Sequence, residues 1–247
     1  MKPDVNGSVV AMKSLVKIVF DVVLGAVVLL LGACKDADEA DMPRAIKLYD
    51  VVEVASKSAQ SAVFTLWRPD AVEPVTLYAD NVPFDLSGVE AGECVFLGYT
   101  PVDGMAYTSG RVIVEACGSV NNSRLGKSSP EKLEGWDADP VYLMSLWRAG
   151  NKICVRVRLT YDTNPRLFAL VADETTADDP YPTAYLYHRR RNDTPNFSRQ
   201  YYAAFDVSAL WATPGCQGLK VRVCNSNIPD MNEFVVRNPL AGQSATD

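Results

Sequence analysis

Lys152-Ile153-Cys154-Val155-Arg156-Val157-Arg158-Leu159-Thr160 decides the fold class. Ile153, Val155, Val157 and Leu159 fall on one side of an extended chain, and Cys154, Arg156, Arg158 and Thr160 fall on the other. Successive Cβ atoms of a pleated chain point to opposite sides, so a period of two marks a strand with one buried and one wet face. Leu219, Val221 and Val223 alternate with Lys220, Arg222 and Cys224 in the same way. Around these two anchors, β-type runs predict further strands at Tyr142–Trp147, Leu167–Val171, Ala184–His188, Tyr201–Val207 and Phe234–Val236. Seven strands with no helix of normal length between them predict an antiparallel β-sandwich over 139–240, followed by a tail at 241–247.

Upstream, Leu48–Ala55, Ala62–Trp67, Val75–Tyr78, Glu93–Tyr99 and Arg111–Ala116 are rich in Val, Leu, Phe and Tyr, with Pro, Gly, Asn and Asp between them. Five short strands in so little chain suit a small OB-like barrel, placed at 46–120. The polar stretch between the two domains, 121–138, reads by composition as a linker. The expected class is all-β, twice over.

The amino terminus carries an address. Lys13 and Lys17 precede the apolar run Val22–Leu31, which leads into Gly32-Ala33-Cys34. A basic region, a short apolar region and small residues before a cut describe a secretory signal peptide, here 1–33. A spanning helix needs about 20 apolar residues, more than this run supplies. Asp4 sits where a signal should be basic, so Met12 is a better initiator than Met1. Leu31-Gly32-Ala33-Cys34 matches the bacterial lipobox, which makes Cys34 the expected lipidation site and the membrane a partner through that anchor. In the tether 34–45, Lys35, Asp36, Asp38, Glu39 and Asp41 keep the chain solvated. They also resemble the Lys-plus-acidic signal that sends lipoproteins of Bacteroides-type bacteria to the outer face of the outer membrane.

Composition narrows the chemistry. A net charge of −6 argues against a general nucleic-acid binder, which normally shows a basic stripe. His188 is the single histidine, so no metal site built on several imidazoles is available, and no metal or cofactor is expected. Five cysteines remain beyond Cys34: Cys94, Cys117, Cys154, Cys216 and Cys224. An odd number leaves at least one unpaired. Cys154 and Cys224 share the polar phase of their strands. Direct antiparallel pairing there, however, sets Arg156 against Arg222 and Arg158 against Lys220, like charges opposed.

The second half carries a family resemblance. Val155–Tyr161, Phe168–Asp173, Leu186–Asp193 and Ala204–Leu210 resemble, in order and spacing, the sandwich domain of the NigD-like lipoproteins. The likeness extends over the mature chain, more loosely in its first domain. It implies a lipobox, an OB-like domain and a carboxy-terminal sandwich, and an association with bacteriocin loci. It supplies no catalytic residues to carry over.

Several clusters carry residue types suited to binding or catalysis. His188, Arg189, Arg190, Arg191 and Asp193 form the best binding candidate, with His188 and Asp193 as an orienting pair and the arginines gripping an anion. The competing reading is a strand end running into a charged turn, with the imidazole bonded to backbone. Gly126-Lys127-Ser128 copies the end of a phosphate loop without its preceding glycine. Asp178-Asp179, or Asp137 with Asp139, would flank a glycosidic bond only if they met in a cleft. Tyr181, Tyr185, Tyr187, Tyr201, Tyr202, Trp147 and Trp211 would form a stacking surface if exposed together. Arg156, Arg158, Lys220 and Arg222 would form one basic face if their strands were neighbours.

With no catalytic set in view, the expected function is a non-enzymatic, surface-exposed lipoprotein of a Gram-negative bacterium, acting as a binding or accessory module. Its expected partner is an extracellular or envelope protein or a glycan, bound through the sandwich domain. The alternatives are an accessory or immunity protein of a bacteriocin system and a carboxylate-dependent glycan hydrolase.

Overall fold

A computed structural model describes residues 46–69, 71, 73–161, 167–190 and 197–241. Five strands open the chain: β1 (Leu48–Lys57), β2 (Ala62–Leu66), β3 (Val75–Ala79), β4 (Cys94–Pro101) and β5 (Gly110–Ser119). They close into a barrel in the order β1-β2-β3-β5-β4, with β4 returning to β1. Only the β3–β5 pairing is parallel. This is the OB arrangement expected from the five short runs. Bulges between Val54 and Ser56 and at Gly98/Tyr99 bend the ribbon, as closing so few strands requires. Inward residues such as Val52, Val54, Phe64, Leu77 and Leu97 fill the barrel. The buried Tyr99 keeps its hydroxyl satisfied by donating to Asp50 Oδ2 at 3.0 Å.

The sandwich follows. Its strands are β6 (Asn121–Arg124), β7 (Gly126–Ser128), β8 (Tyr142–Ala149), β9 (Lys152–Tyr161), β10 (Leu167–Asp173), β11 (Thr183–Arg189), β12 (Phe197–Asp206), β13 (Gly218–Val223) and β14 (Glu233–Arg237). One sheet runs β14-β13-β11-β10-β7 and the other β6-β12-β9-β8. The all-β expectation, a barrel followed by a sandwich, holds. The pairings β6–β12, β7–β10 and β11–β13 are parallel and the rest antiparallel. A four-residue helix α1 (Ser208–Trp211) packs Leu210 and Trp211 onto the core.

Ile153, Val155, Val157 and Leu159 face Leu219, Val221 and Val223 in that core, all of them essentially inaccessible. The polar phase of β9 is wet only in part. Cys154 is fully buried, because the barrel covers this end of the sheet.

The stretch read as a linker contains β6 and β7. Its backbone crosses from one sheet to the other, adding an edge strand to each, with Leu125 packed against the core between them. Strand pairing uses main-chain groups and does not require apolar side chains, which is why composition misread this segment.

Candidate functional site

Barrel and sandwich lie within one compact unit, Ala45–Asp247. Val51 and Cys94 of the barrel meet Ala149, Cys154 and Ala204 of the sandwich, with Val120 between them. Phe96 stacks on Tyr202 with ring centroids 4.7 Å apart. Asn122 of β6 reaches across to β4: its Oδ1 accepts from Cys94 N at 2.7 Å, and its Nδ2 donates to Cys94 O at 2.9 Å. One carboxamide thus replaces a missing strand neighbour. Asn122→Ala leaves both backbone groups without this partner and is expected to destabilise the chain by about 2–3 kcal/mol in denaturant titration. Asn122→Asp, which retains the acceptor and loses the donor, should fall between.

Beside this junction lies a cleft of about 880 Å³. Its barrel wall carries Glu53, Trp67 and Glu93. Its sandwich wall comes from β6, the β8–β9 hairpin, the end of β12 and α1. The strand register sets the floor. Asp206 stands directly opposite Lys152 on β9 and opposite Arg124 on β6, and Lys152 pairs with Glu53 of the barrel. The result is a row of alternating sign: Glu53, Lys152, Asp206, Arg124.

Burial by itself lowers the proton affinity of the Lys152 ammonium. The hydrogen bond and charge of Glu53, helped by Cys94 and Asp206, outweigh that and hold it above its ordinary value. Burial likewise pushes Asp206 up, while hydrogen bonds from Ser208 and the charges of Lys152 and Arg124 bring it below the usual carboxylate range.

At the rim, Gly150 and Asn151 form the two-residue turn between β8 and β9. Gly150 takes φ +57°, and a Cβ there would stand 2.8 Å from the Trp67 ring. Glycine allows both the left-handed backbone and the close approach of the indole.

Part of the cluster chosen from sequence forms a second concavity, of about 370 Å³, lined by His188, Arg190, Arg158 and Tyr142 among others. His188 is buried with Nδ1 3.0 Å from the carbonyl oxygen of Asp139. Arg190 donates from its backbone N and its Nε to the Asp139 carboxylate. These bonds and charges outweigh burial and hold Asp139 low. Arg189 lies over the Tyr187 ring, 5.5 Å from its centroid. Cys34, Lys35, Asp36, Asp38, Glu39, Asp41, Arg191 and Asp193 lie outside the described residues.

Other groupings separate. Arg156 and Arg158 belong to one sheet and Lys220 and Arg222 to the other, so they make no common basic face. The same division parts Cys154 on β9 from Cys224 after β13, whose thiol donates to the Asp137 carbonyl. Gly126–Ser128 is strand β7, with no phosphate-loop geometry. Asp178 and Asp179 are exposed turn residues. The aromatics disperse: Trp211 and Tyr187 are buried, Tyr185 packs on Trp136, and Tyr202 serves the junction. Among the described residues no three His, Cys, Asp or Glu side chains converge as metal ligands, and no helix is long and apolar enough to cross a membrane.

No protein-family model and no curated protein matches the sequence. Solved structures do match. A NigD-like immunity protein from Bacteroides caccae superposes with a TM-score of 0.51 at 16% identity, over 76% of this chain and 90% of that one. The fold is that of the NigD-like proteins. A protein of unknown function from Bacteroides vulgatus shares it with a TM-score of 0.60 at 16% identity, over 81% of this chain and 94% of that one. So does a candidate lipoprotein from Bacteroides fragilis, with a TM-score of 0.50 at 12% identity, over 78% and 92%. The NigD-like fold accounts for the barrel and sandwich in their order along the chain. At these identities the likeness is one of fold.

Proposed function

We propose that the chain is a lipid-anchored, surface-exposed protein of a Gram-negative outer membrane, and that it acts as a non-enzymatic binding or accessory module. Its partner sits in the cleft between barrel and sandwich. The observation that carries this reading is the alternating row Glu53, Lys152, Asp206, Arg124 on the cleft floor, two acids and two bases in sequence. Such a row has no net charge to concentrate ions, and it offers donors and acceptors in turn. With the Trp67 indole at the rim, it suits a neutral, hydrogen-bond-rich ligand of the kind an envelope glycan presents. The basic signal region, the lipobox at Cys34 and the acidic tether support the anchor. The name of the Bacteroides fragilis neighbour agrees with it.

The test pairs location with binding. Protease shaving of intact cells should remove the natural protein, and a variant with neutral residues at 35–41 should be protected. The purified chain should bind members of a panel of neutral oligosaccharides at least tenfold more weakly after Arg124→Gln, with the unfolding midpoint almost unchanged because this side chain is exposed. Binding indifferent to that change, or turnover of any glycan, would sink the reading. A loop of an envelope protein captured through the same residues would replace the glycan as partner. A second reading, an accessory or immunity role toward a bacteriocin, is favoured by the name of the Bacteroides caccae neighbour. It predicts that deleting the gene raises bacteriocin sensitivity.

A further inference from the structure

Cys94 opens β4 in the barrel, and Cys154 is the third residue of β9 in the sandwich. The two are 60 residues apart in sequence, and both are thiols in this structure. They meet in the small apolar cluster that joins the two domains, packed with Val51, Val120, Ala149 and Ala204. Cys94 is 3% exposed and Cys154 0%, and both side chains belong to this one buried cluster.

Both backbones are pinned. Asn122 holds the amide and carbonyl of Cys94, and Cys154 sits mid-sheet between Trp147 on β8 and Ala204 on β12. The remaining cysteines lie elsewhere: Cys216 donates to the Gly218 carbonyl, Cys224 to that of Asp137, and Cys117 belongs to β5.

We propose that Cys94 and Cys154 are joined as a disulfide that fastens the barrel to the sandwich as the chain folds after export. The bond needs an oxidant, and a disulfide-carrying protein donor of the extracytoplasmic space supplies it. Cys94, as thiolate, attacks one sulfur of the donor disulfide; a mixed disulfide forms and one donor sulfur leaves. Cys154, as thiolate, then attacks Cys94 Sγ, the new bond closes, and the second donor sulfur leaves. Two electrons pass to the donor, and its two sulfurs take up the two protons that the cysteines give up.

The order follows from the surroundings. The neighbouring Cys154 thiol and the charge of Lys152 draw Cys94 down against its burial, while the neighbouring Cys94 and full burial push Cys154 up. The bond would also set the cleft, because Glu93 adjoins Cys94 and Lys152 lies two residues before Cys154.

This inference shares with the proposed function only the export of the chain, and the test separates the two. The full chain is recovered from the cell envelope, alkylated without reduction and cut with trypsin. Arg68 precedes Pro69 and resists cleavage, so Cys94 travels on the peptide Ser58–Arg111 and Cys154 on Ile153–Arg156. In parallel, the purified chain is unfolded and refolded through a series of reduced and oxidised glutathione mixtures.

The expected result in both is one linked species of these two peptides, lost on reduction and absent from Cys154→Ala. Reduction should also lower the thermal midpoint of the natural chain by about 5–15 °C and leave that of Cys154→Ala unmoved. Alkylated Cys94 and Cys154 in both preparations, or either one linked to a different cysteine, would overturn the proposal. Linkage in the glutathione series alone would support the pair and count against export.

Discussion

Replacing Gly150 by valine is expected to lower the thermal midpoint by about 6–12 °C, which follows from a cost of about 3 kcal/mol in a chain of this size. Two effects add. The residue holds φ +57°, where a β-branched side chain costs about 1–2 kcal/mol because its Cβ crowds the following carbonyl. The new Cβ would also stand 2.8 Å from Trp67 Cε2 and 2.9 Å from Nε1, so the indole must leave its seat, an overpacking cost of about 1–3 kcal/mol. A control divides the two. Gly150→Asn keeps the clash but tolerates the left-handed backbone, and should lose roughly half as much. Adding Trp67→Ala to the valine variant removes the clash and should recover part of the loss. Because Trp67 forms the rim of the cleft, the valine variant should also shift the tryptophan emission toward the red.

Glu53→Ala is expected to cost about 2–3 kcal/mol in urea titration. Removing one partner of a fully buried ion pair typically costs about 3–5 kcal/mol, because the other charge stays desolvated. Here the side chains of Lys152 and Glu53 retain 14% and 27% of their accessibility, and Asp206 remains opposite Lys152, which places the effect below that range. Lys152→Met in the same background should restore most of the loss, since it removes the stranded charge and retains the packing of the stem.

The pH dependence has a definite sign. The folded Lys152 binds its proton more tightly than the unfolded chain does. Its contribution is therefore complete below the ordinary lysine pKa of about 10.4 and disappears as pH rises through the higher folded value. In Glu53→Ala the difference shrinks, so urea midpoints measured from pH 8 to 11 should fall less steeply than in the natural chain. An identical slope in the two proteins would remove the pair from the alkaline stability.

The period-two pattern of β9 and β13 identified the buried faces correctly, because an apolar phase is written residue by residue along a strand. The five runs of the barrel were equally legible, within a few residues at each end. Three things were not. Strands β6 and β7 are polar, and their pairing rests on main-chain groups that composition does not display. The burial of Cys154 depends on the barrel docking over an otherwise wet face. The cleft row joins residues from β1, β6, β9 and β12, so Glu53 and Lys152, distant in sequence, carry no mutual signal. Gly150-Asn151 was the one available local clue to the rim, a glycine-led dipeptide between two strands. His188 and Arg190 belong to one charged run, and Asp139, which organises both, lies 49 and 51 residues earlier, at the start of the domain.

By itself the sequence determined the all-β class, the order of barrel and sandwich, and which strand faces are buried, since hydrophobic alternation is a local property of the backbone period. The tertiary structure alone decided which charges alternate across the cleft, which thiols meet and which carboxamide completes β4. Those depend on strand register and on the docking of one domain upon the other, and each is a contact between residues that local pattern treats as independent.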